Sequence, residues 1–216
     1  TVYCLLRPGT ESDGRARIRR ALESWGIWAP SFDGRVEIVA GDIEQPRLGL
    51  SMAEFKGLSR SIDTIFHCAA SVNWSAAYSG VRSANVLGTG EILRLAALSR
   101  RKPVHFVSSV AACFSTDGPR EVGETDDTLS HLDGIHLGYA RSKCVAEALV
   151  RHASERGLPA TIYRPSLVCG DSTTGGSNTD DLLSRLIKGC IQMGCAPDLD
   201  WVVDACPVDY VAEAIV

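Results

Sequence analysis

Short apolar runs alternate with longer amphipathic stretches along most of this chain. The runs at 2–6, 36–40, 64–68, 104–107 and 160–163 hold four or five residues each, are bounded by turn or polar residues, and are too short for helices. Each is expected to be a strand, and 2–6 a buried one. Between them, 15–25, 51–58, 78–99 and 139–156 carry apolar residues at helical spacing. The last has Ser142, Val145, Ala146, Leu149 and Ala153 as its buried stripe and stops at Gly157, with Pro159 beyond. Strand and helix in alternation predict a parallel sheet with helices on both faces. Two segments, 113–138 and 171–200, break the pattern: they are polar and glycine-bearing and are expected to be irregular, on either side of the 139–156 helix.

Composition changes this picture little. With 45% hydrophobic and 22% charged residues in 216, the chain can fill the core of one domain. A net charge of −4 with dispersed basic residues argues against a nucleic-acid surface. The exception is Arg15, Arg17, Arg19 and Arg20, read as a solvated helix face or as neighbours of a phosphate. The 8 cysteines sit mostly in apolar runs, with no Cys-x-x-Cys pair and no histidine at ligand spacing, so no metal site is expected. No run approaches the ~20 apolar residues of a membrane span, no signal peptide is recognised, and the expectation is a reduced, cytoplasmic protein. A strand at the very start, after Thr1, suggests a chain excised from a longer one.

The chemistry concentrates at Tyr139-x-x-x-Lys143, where one helix face carries a phenol and an ammonium. An ammonium there is expected to lower the Tyr139 pKa and make it a proton donor to a carbonyl; an exposed helical pair is the alternative. In open parallel sheets ligands bind beyond the carboxyl ends of the strands, so the residues after each strand matter. Arg7, in Arg7-Pro8-Gly9, suits the 2′-phosphate of NADP or is a solvated loop residue. Asp42 and Ile43 are placed to accept from an adenine amino group and cover its ring, or to start a turn. Cys68-Ala69-Ala70-Ser71 allows close approach of a ligand or of the next helix. Asn85, polar on an apolar helix face beside Gly88 and Gly90, is a structural hydrogen-bonder or part of a proton relay. Ser108-Ser109 offers a hydroxyl to a substrate oxygen, or merely forms a turn. Trp74 and Trp201 line a channel or fill core, and Glu121, Glu124, Asp126 and Asp127 are expected to be solvated.

Taken in order, the motifs Val2-Tyr3-Cys4-Leu5-Leu6-Arg7, Gly41-Asp42-Ile43, His67-Cys68-Ala69-Ala70, Asn85-Val86-Leu87-Gly88-Thr89, Val107-Ser108-Ser109, Tyr139-x-x-x-Lys143, Tyr163-Arg164-Pro165 and Pro207-Val208-Asp209-Tyr210-Val211-Ala212 cover almost the whole chain. Their sequence resembles the extended short-chain dehydrogenase/reductases, and within them the thioester reductase domains of nonribosomal peptide and polyketide synthases and the related carboxylic acid reductases. The resemblance implies a Rossmann-type doubly wound domain over 1–216, with 171–200 a substrate-side insertion and with the family's first strand and glycine-rich loop absent from the given chain. It implies a triad of Ser109, Tyr139 and Lys143, Ser109 being preferred over Ser108 by the family's pattern. NADPH is the implied cofactor, with Arg7 and Arg17 at the 2′-phosphate, Asp42 and Ile43 at the adenine, Ala69 and Ala70 near the ribose, Lys143 on the nicotinamide ribose, Asn85 and Tyr139 also among the cofactor-binding residues, and Pro165, Ser166 and Val168 on the nicotinamide side. The implied substrate is an acyl or peptidyl phosphopantetheine thioester on a carrier protein, entering beside 113–138 and 171–200. It is released as aldehyde, which is either the product or is reduced again to alcohol. Two rivals share the pattern: an extended reductase-type enzyme acting on a sugar nucleotide, whose usual NAD Arg7 disfavours, and a non-catalytic dinucleotide sensor, disfavoured by the intact triad.

Overall fold

A computed structural model describes residues 1–7, 14–200 and 202–216. The chain divides into two compact units, Thr1–Arg164 and Pro165–Val216. In the first, β1 (Val2–Leu6), α1 (Gly14–Ser24), β2 (Val36–Ala40), α2 (Met52–Ser61), β3 (Ile65–His67), α3 (Tyr78–Arg82), α4 (Gly88–Ala97), β4 (Val104–Val107), α5 (Gly138–Glu155) and β5 (Ala160–Tyr163) follow one another. All strand pairs are parallel: β1 runs beside β2 with Val2 opposite Val36, and β4 lies between β3 and β5 with Val104 opposite Ile65 and Ala160. The expected parallel α/β arrangement is what forms. Four of the five expected strands have the expected ends.

Local chemistry explains where the helices begin and end. Ser51 accepts from the Glu54 nitrogen while the Glu54 carboxylate accepts from the Ser51 nitrogen, a reciprocal cap that starts α2. The expected helix over 78–99 is one continuous helix, in which a π-turn over Ser83–Leu87 joins α3 to α4. At its far end the Lys102 ammonium donates to the carbonyls of Leu98 and Arg100, both at 2.8 Å, where the helix dipole favours a cation.

One core holds both ladders. Leu5 and Val39 from β1 and β2, and Ile65, Val104, Phe106 and Ile162 from the other strands, meet Phe55 of α2, Ile92, Leu93 and Ala96 of α4, and Ala146 and Val150 of α5. A smaller cluster of Ala111, Ala112, Ile135, Tyr139, Ala140 and Cys144 covers the carboxyl end of β4.

In the second unit β6 (Leu167–Cys169) pairs in parallel with β7 (Ala205–Pro207), accompanied by α6 (Leu182–Met193) and α7 (Val208–Ile215). Here the sequence reading is corrected: 171–200 is not irregular but contains the 12-residue α6. Asp181 caps it by accepting from the Ser184 nitrogen, and Gly194, at φ 67°, ends it. The 113–138 segment is mostly loop, with short 3-10 turns at Val110–Cys113 and Thr128–Gly134.

Gly138 opens α5 against the 76–78 backbone. A Cβ there would collide with the Ala76 carbonyl oxygen and lie 2.5 Å from the Tyr78 nitrogen, whereas one at Gly90 meets nothing within 4 Å. Gly138→Ala is therefore expected to lower stability by about 1–3 kcal/mol in urea unfolding, while Gly90→Ala leaves it unchanged or slightly raised. Equal midpoints for the two variants would contradict this packing.

Candidate active site

The carboxyl end of β4 and the first two turns of α5 converge. Lys143 is 3% exposed; its Nζ donates to the Val107 carbonyl at 2.8 Å and lies 5.0 Å from the centroid of the Phe106 ring. Ser109 caps the turn after β4, its Oγ accepting from the Ala111 nitrogen at 3.2 Å. Its hydroxyl also lies beside the Tyr139 phenol, near enough to draw the phenol's pKa down. Trp74 packs on Tyr139 with ring centroids 5.6 Å apart, so it takes the core role beside the phenol. Trp201 lies outside the described residues.

The expected direction of the Tyr139 pKa is reversed. Burial raises it, and the Ser109 hydrogen bond offsets this only in part. Lys143 spends its charge on the Val107 carbonyl and the Phe106 face. The ammonium itself is pushed down to about 8 by burial, against the opposing pull of Glu147 and then of Cys68. The phenol is thus fully protonated at neutral pH, the state a proton donor needs before reaction.

The two serines divide their roles. Ser108 is buried and donates its hydroxyl to Glu147 Oε1 at 2.5 Å, which leaves Ser109 as the serine facing the phenol. Asn85, in the π-turn, accepts from the Ser71 nitrogen at 2.7 Å and donates to the Ser71 carbonyl at 3.1 Å and to Ser142 Oγ at 2.8 Å. Ser142 in turn donates to the Tyr139 carbonyl at 2.6 Å. Asn85 therefore ties the loop after β3 to α5 from its place in the π-turn. Behind it, Thr89 Oγ1 donates to the Asn85 carbonyl at 2.7 Å, so the 2.9 Å contact with His67 Nε2 is assigned as donation from the ring. Burial, with the nearby Lys143, lowers the His67 pKa to about 4, so this imidazole stays neutral.

At the other end of the sheet edge, Leu5, Arg7, Gly41, Ile43, Glu44, Ala69, Ala70, Ser71 and Ala84 line a cleft of about 290 Å³. Arg7 Nε donates to Asp42 Oδ1 at 3.0 Å and Nη2 to Glu44 Oε1; the two carboxylates raise its pKa. Arg17 Nη1 donates to the Arg7 carbonyl at 2.7 Å. Ile43 packs on Gly88, where a Cβ would come within 2.6 Å of Ile43 Cγ1. Pro8 and Gly9 of the first loop lie outside the described residues. An adenosine with a phosphate fits the chemistry of this cleft: apolar floor, small residues at 69–71, and a guanidinium at the rim. Val168, in β6, and Ser166, which donates to Cys206 Sγ at 3.2 Å, belong with Pro165 to the second unit.

Three participants escaped the sequence reading. Glu44, beside Arg7, carried no distinguishing signal. Glu147 and Arg164 form a buried pair: Nη2 donates to Oε2 at 2.7 Å and Nε to Oε1 at 3.0 Å. Here a signal existed, because Tyr139, Lys143 and Glu147 recur every four residues on one face. Of the loop acids, Asp126 accepts from the Gly123 nitrogen and Asp127 from the Leu129 nitrogen. Among the described residues no group of three His, Cys, Asp or Glu is disposed to hold a metal ion, and no helix is long and apolar enough to cross a membrane.

Known proteins are similar to this chain. The chain is 41% identical over 216 residues to a linear gramicidin synthase subunit of Brevibacillus parabrevis, covering 100% of this chain and 4% of that protein. It is 38% identical over 224 residues to the L-2-aminoadipate reductase large subunit of Eremothecium gossypii, covering 99% of this chain and 16% of the relative. The crystal structure of the terminal R domain from the myxalamid PKS-NRPS biosynthetic pathway matches with a TM-score of 0.92 at 51% identity, covering 99% of this chain and 54% of that one. The chain thus spans a small part of these curated relatives and about half of the solved domain. A family model described as Male sterility protein, an NAD-binding family, matches residues 1–215, and the chain belongs to that family.

Proposed function

We propose that this chain is the dinucleotide-binding part of a reductase that uses NADPH to release an acyl or peptidyl thioester from a carrier protein as aldehyde. The observation that carries the reading is the convergence of Ser109, Tyr139 and Lys143 at the carboxyl end of β4, with Asn85 fixing the helix that bears two of them. Relatives that are a gramicidin synthase subunit, an aminoadipate reductase and a terminal R domain support the substrate class.

NADPH, when bound, supplies the hydride to the thioester carbonyl. The chain's own residues do the rest. Tyr139 donates its phenolic proton to the carbonyl oxygen as negative charge develops there, and Ser109 hydrogen-bonds the same oxygen. Lys143 holds the nicotinamide ribose and favours the phenolate that Tyr139 becomes. Collapse of the tetrahedral adduct breaks its carbon–sulfur bond, giving aldehyde and the carrier thiol. At the cleft, Asp42 and Ile43 face the adenine, Ala69 and Ala70 the ribose region, and Arg7 with Arg17 the 2′-phosphate. Pro165, Ser166 and Val168 are assigned to the nicotinamide side.

In the full-length protein, NADPH oxidation should depend on an acyl-phosphopantetheine thioester and yield an aldehyde or alcohol. Tyr139→Phe should cut kcat by roughly 100-fold or more while NADPH affinity stays within about twofold; an unimpaired variant would remove the phenol from the mechanism. The protonated ammonium is the active form, and folding lowers its pKa to about 8, so the free-enzyme profile, kcat/KM, should fall as pH rises through about 8. A profile flat from pH 7 to 9.5 would contradict the role of Lys143. Arg7→Ala should weaken NADPH binding by roughly 10–100-fold, the loss of charge-assisted bonds to a phosphate, with little change for NADH. Equal losses for both cofactors would move the 2′-phosphate elsewhere.

A further inference from the structure

The end of β4 lies against α5 at three successive turns. Ser109 lies beside Tyr139, Val107 accepts from Lys143, and Ser108 donates to Glu147. The last residue of β4 and the two that follow it thus meet helix residues spaced by four. The first two contacts belong to the proposed catalytic machinery, while the third ends on a carboxylate with no exposed side-chain surface.

Stability is a weak reason for that carboxylate. Taking a carboxylate out of water costs several kcal/mol, and a buried ion pair exchanged for well-packed apolar residues is often neutral or stabilising. What the pair supplies here is geometry. Glu147 accepts from Ser108 and, bidentately, from Arg164, whose side chain is 15% exposed and directly follows β5. The same guanidinium donates to the Gly123 carbonyl at 3.3 Å, and Arg151 donates to the Glu124 carbonyl at 3.1 Å. One carboxylate therefore joins the end of β4, the middle of α5 and the end of β5, one helical turn beyond Lys143.

We infer that Glu147 is a positioning residue, which through Ser108 and Arg164 holds Ser109 and Lys143 in the register needed for proton donation. The inference rests on the Ser109, Tyr139 and Lys143 assignment above. Its charge also bears on Lys143. The titratable groups that bear on that ammonium are Glu147 on α5, and His67 and Cys68 at the end of β3; Glu147 favours its charged form more strongly than Cys68 does.

The test uses the full-length protein with NADPH and an acyl-phosphopantetheine thioester, comparing Glu147→Gln, Ser108→Ala and Tyr139→Phe. Glu147→Gln should lower kcat by roughly 10–100-fold, the scale of a small misplacement of reacting groups. KM for NADPH should stay within about twofold, and the alkaline limb of kcat/KM should move to lower pH. Ser108→Ala leaves the ion pair intact and should lower kcat without moving that limb. If Glu147→Gln does not fold, as judged by circular dichroism, Ser108→Ala decides, and an unchanged kcat overturns the inference. Folded Glu147→Gln with unchanged kcat and unshifted limb also overturns it, provided Tyr139→Phe is inactive. Full activity in Tyr139→Phe would instead sink the site assignment on which the inference stands.

Discussion

A helix that carries polar groups into a protein interior must find a partner for each, because an unpaired buried donor or acceptor costs about 1–3 kcal/mol and an unpaired charge more. α5 turns Tyr139, Ser142, Lys143 and Glu147 inward, all of them buried. Partners for Ser142, Lys143 and Glu147 lie on three other elements: Val107 and Ser108 at the end of β4, Asn85 in the π-turn, and Arg164 after β5, while Ser109 lies beside Tyr139. Among the described residues no buried side-chain nitrogen or oxygen is left without a partner. A shift of the helix by one residue would orphan several of these groups at once. The placement of the proposed acid and its lysine is thus enforced by the requirement that keeps the core dry.

The same burial sets the electrostatics. It raises the phenol and lowers the ammonium, so both groups are pushed toward their neutral forms. A reductive step draws a proton from the phenol, and a site that keeps that proton at neutral pH is suited to it. At the cofactor end the balance differs. Arg7 is 55% exposed in its side chain, and its pairing with Asp42 and Glu44 adds little stability at such a surface. It holds the guanidinium at the rim of the cleft, where the phosphate proposed above would compete with Glu44.

Much of this was legible in the sequence. Parallel strands read as short apolar runs whatever surrounds them, so β1, β2, β4 and β5 could be bounded from the chain alone, although β1 is not the buried strand its composition suggests: Val2 and Tyr3 are exposed. The four-residue spacing of Tyr139 and Lys143 survives folding because an α-helix converts it directly into adjacency. What stayed hidden depends on contacts between distant elements. Ser108 and Ser109 are equivalent by composition, and only Glu147, 39 residues away, separates them. The direction of the Tyr139 shift required knowing that the phenol is buried. α6 was missed because glycines and acids flank it, although Asp181 and Gly194 are ordinary cap residues.

The most direct measurement is a crystal structure of the full-length protein with NADP and a non-reducible thioester analogue. The account predicts the 2′-phosphate on Arg7 and the adenine in the cleft between Ile43 and Ala69. It also predicts the nicotinamide ribose on Lys143 and the analogue's carbonyl oxygen within hydrogen-bond reach of both Tyr139 and Ser109. A cofactor bound elsewhere, or a carbonyl oxygen out of reach of both hydroxyls, would contradict it.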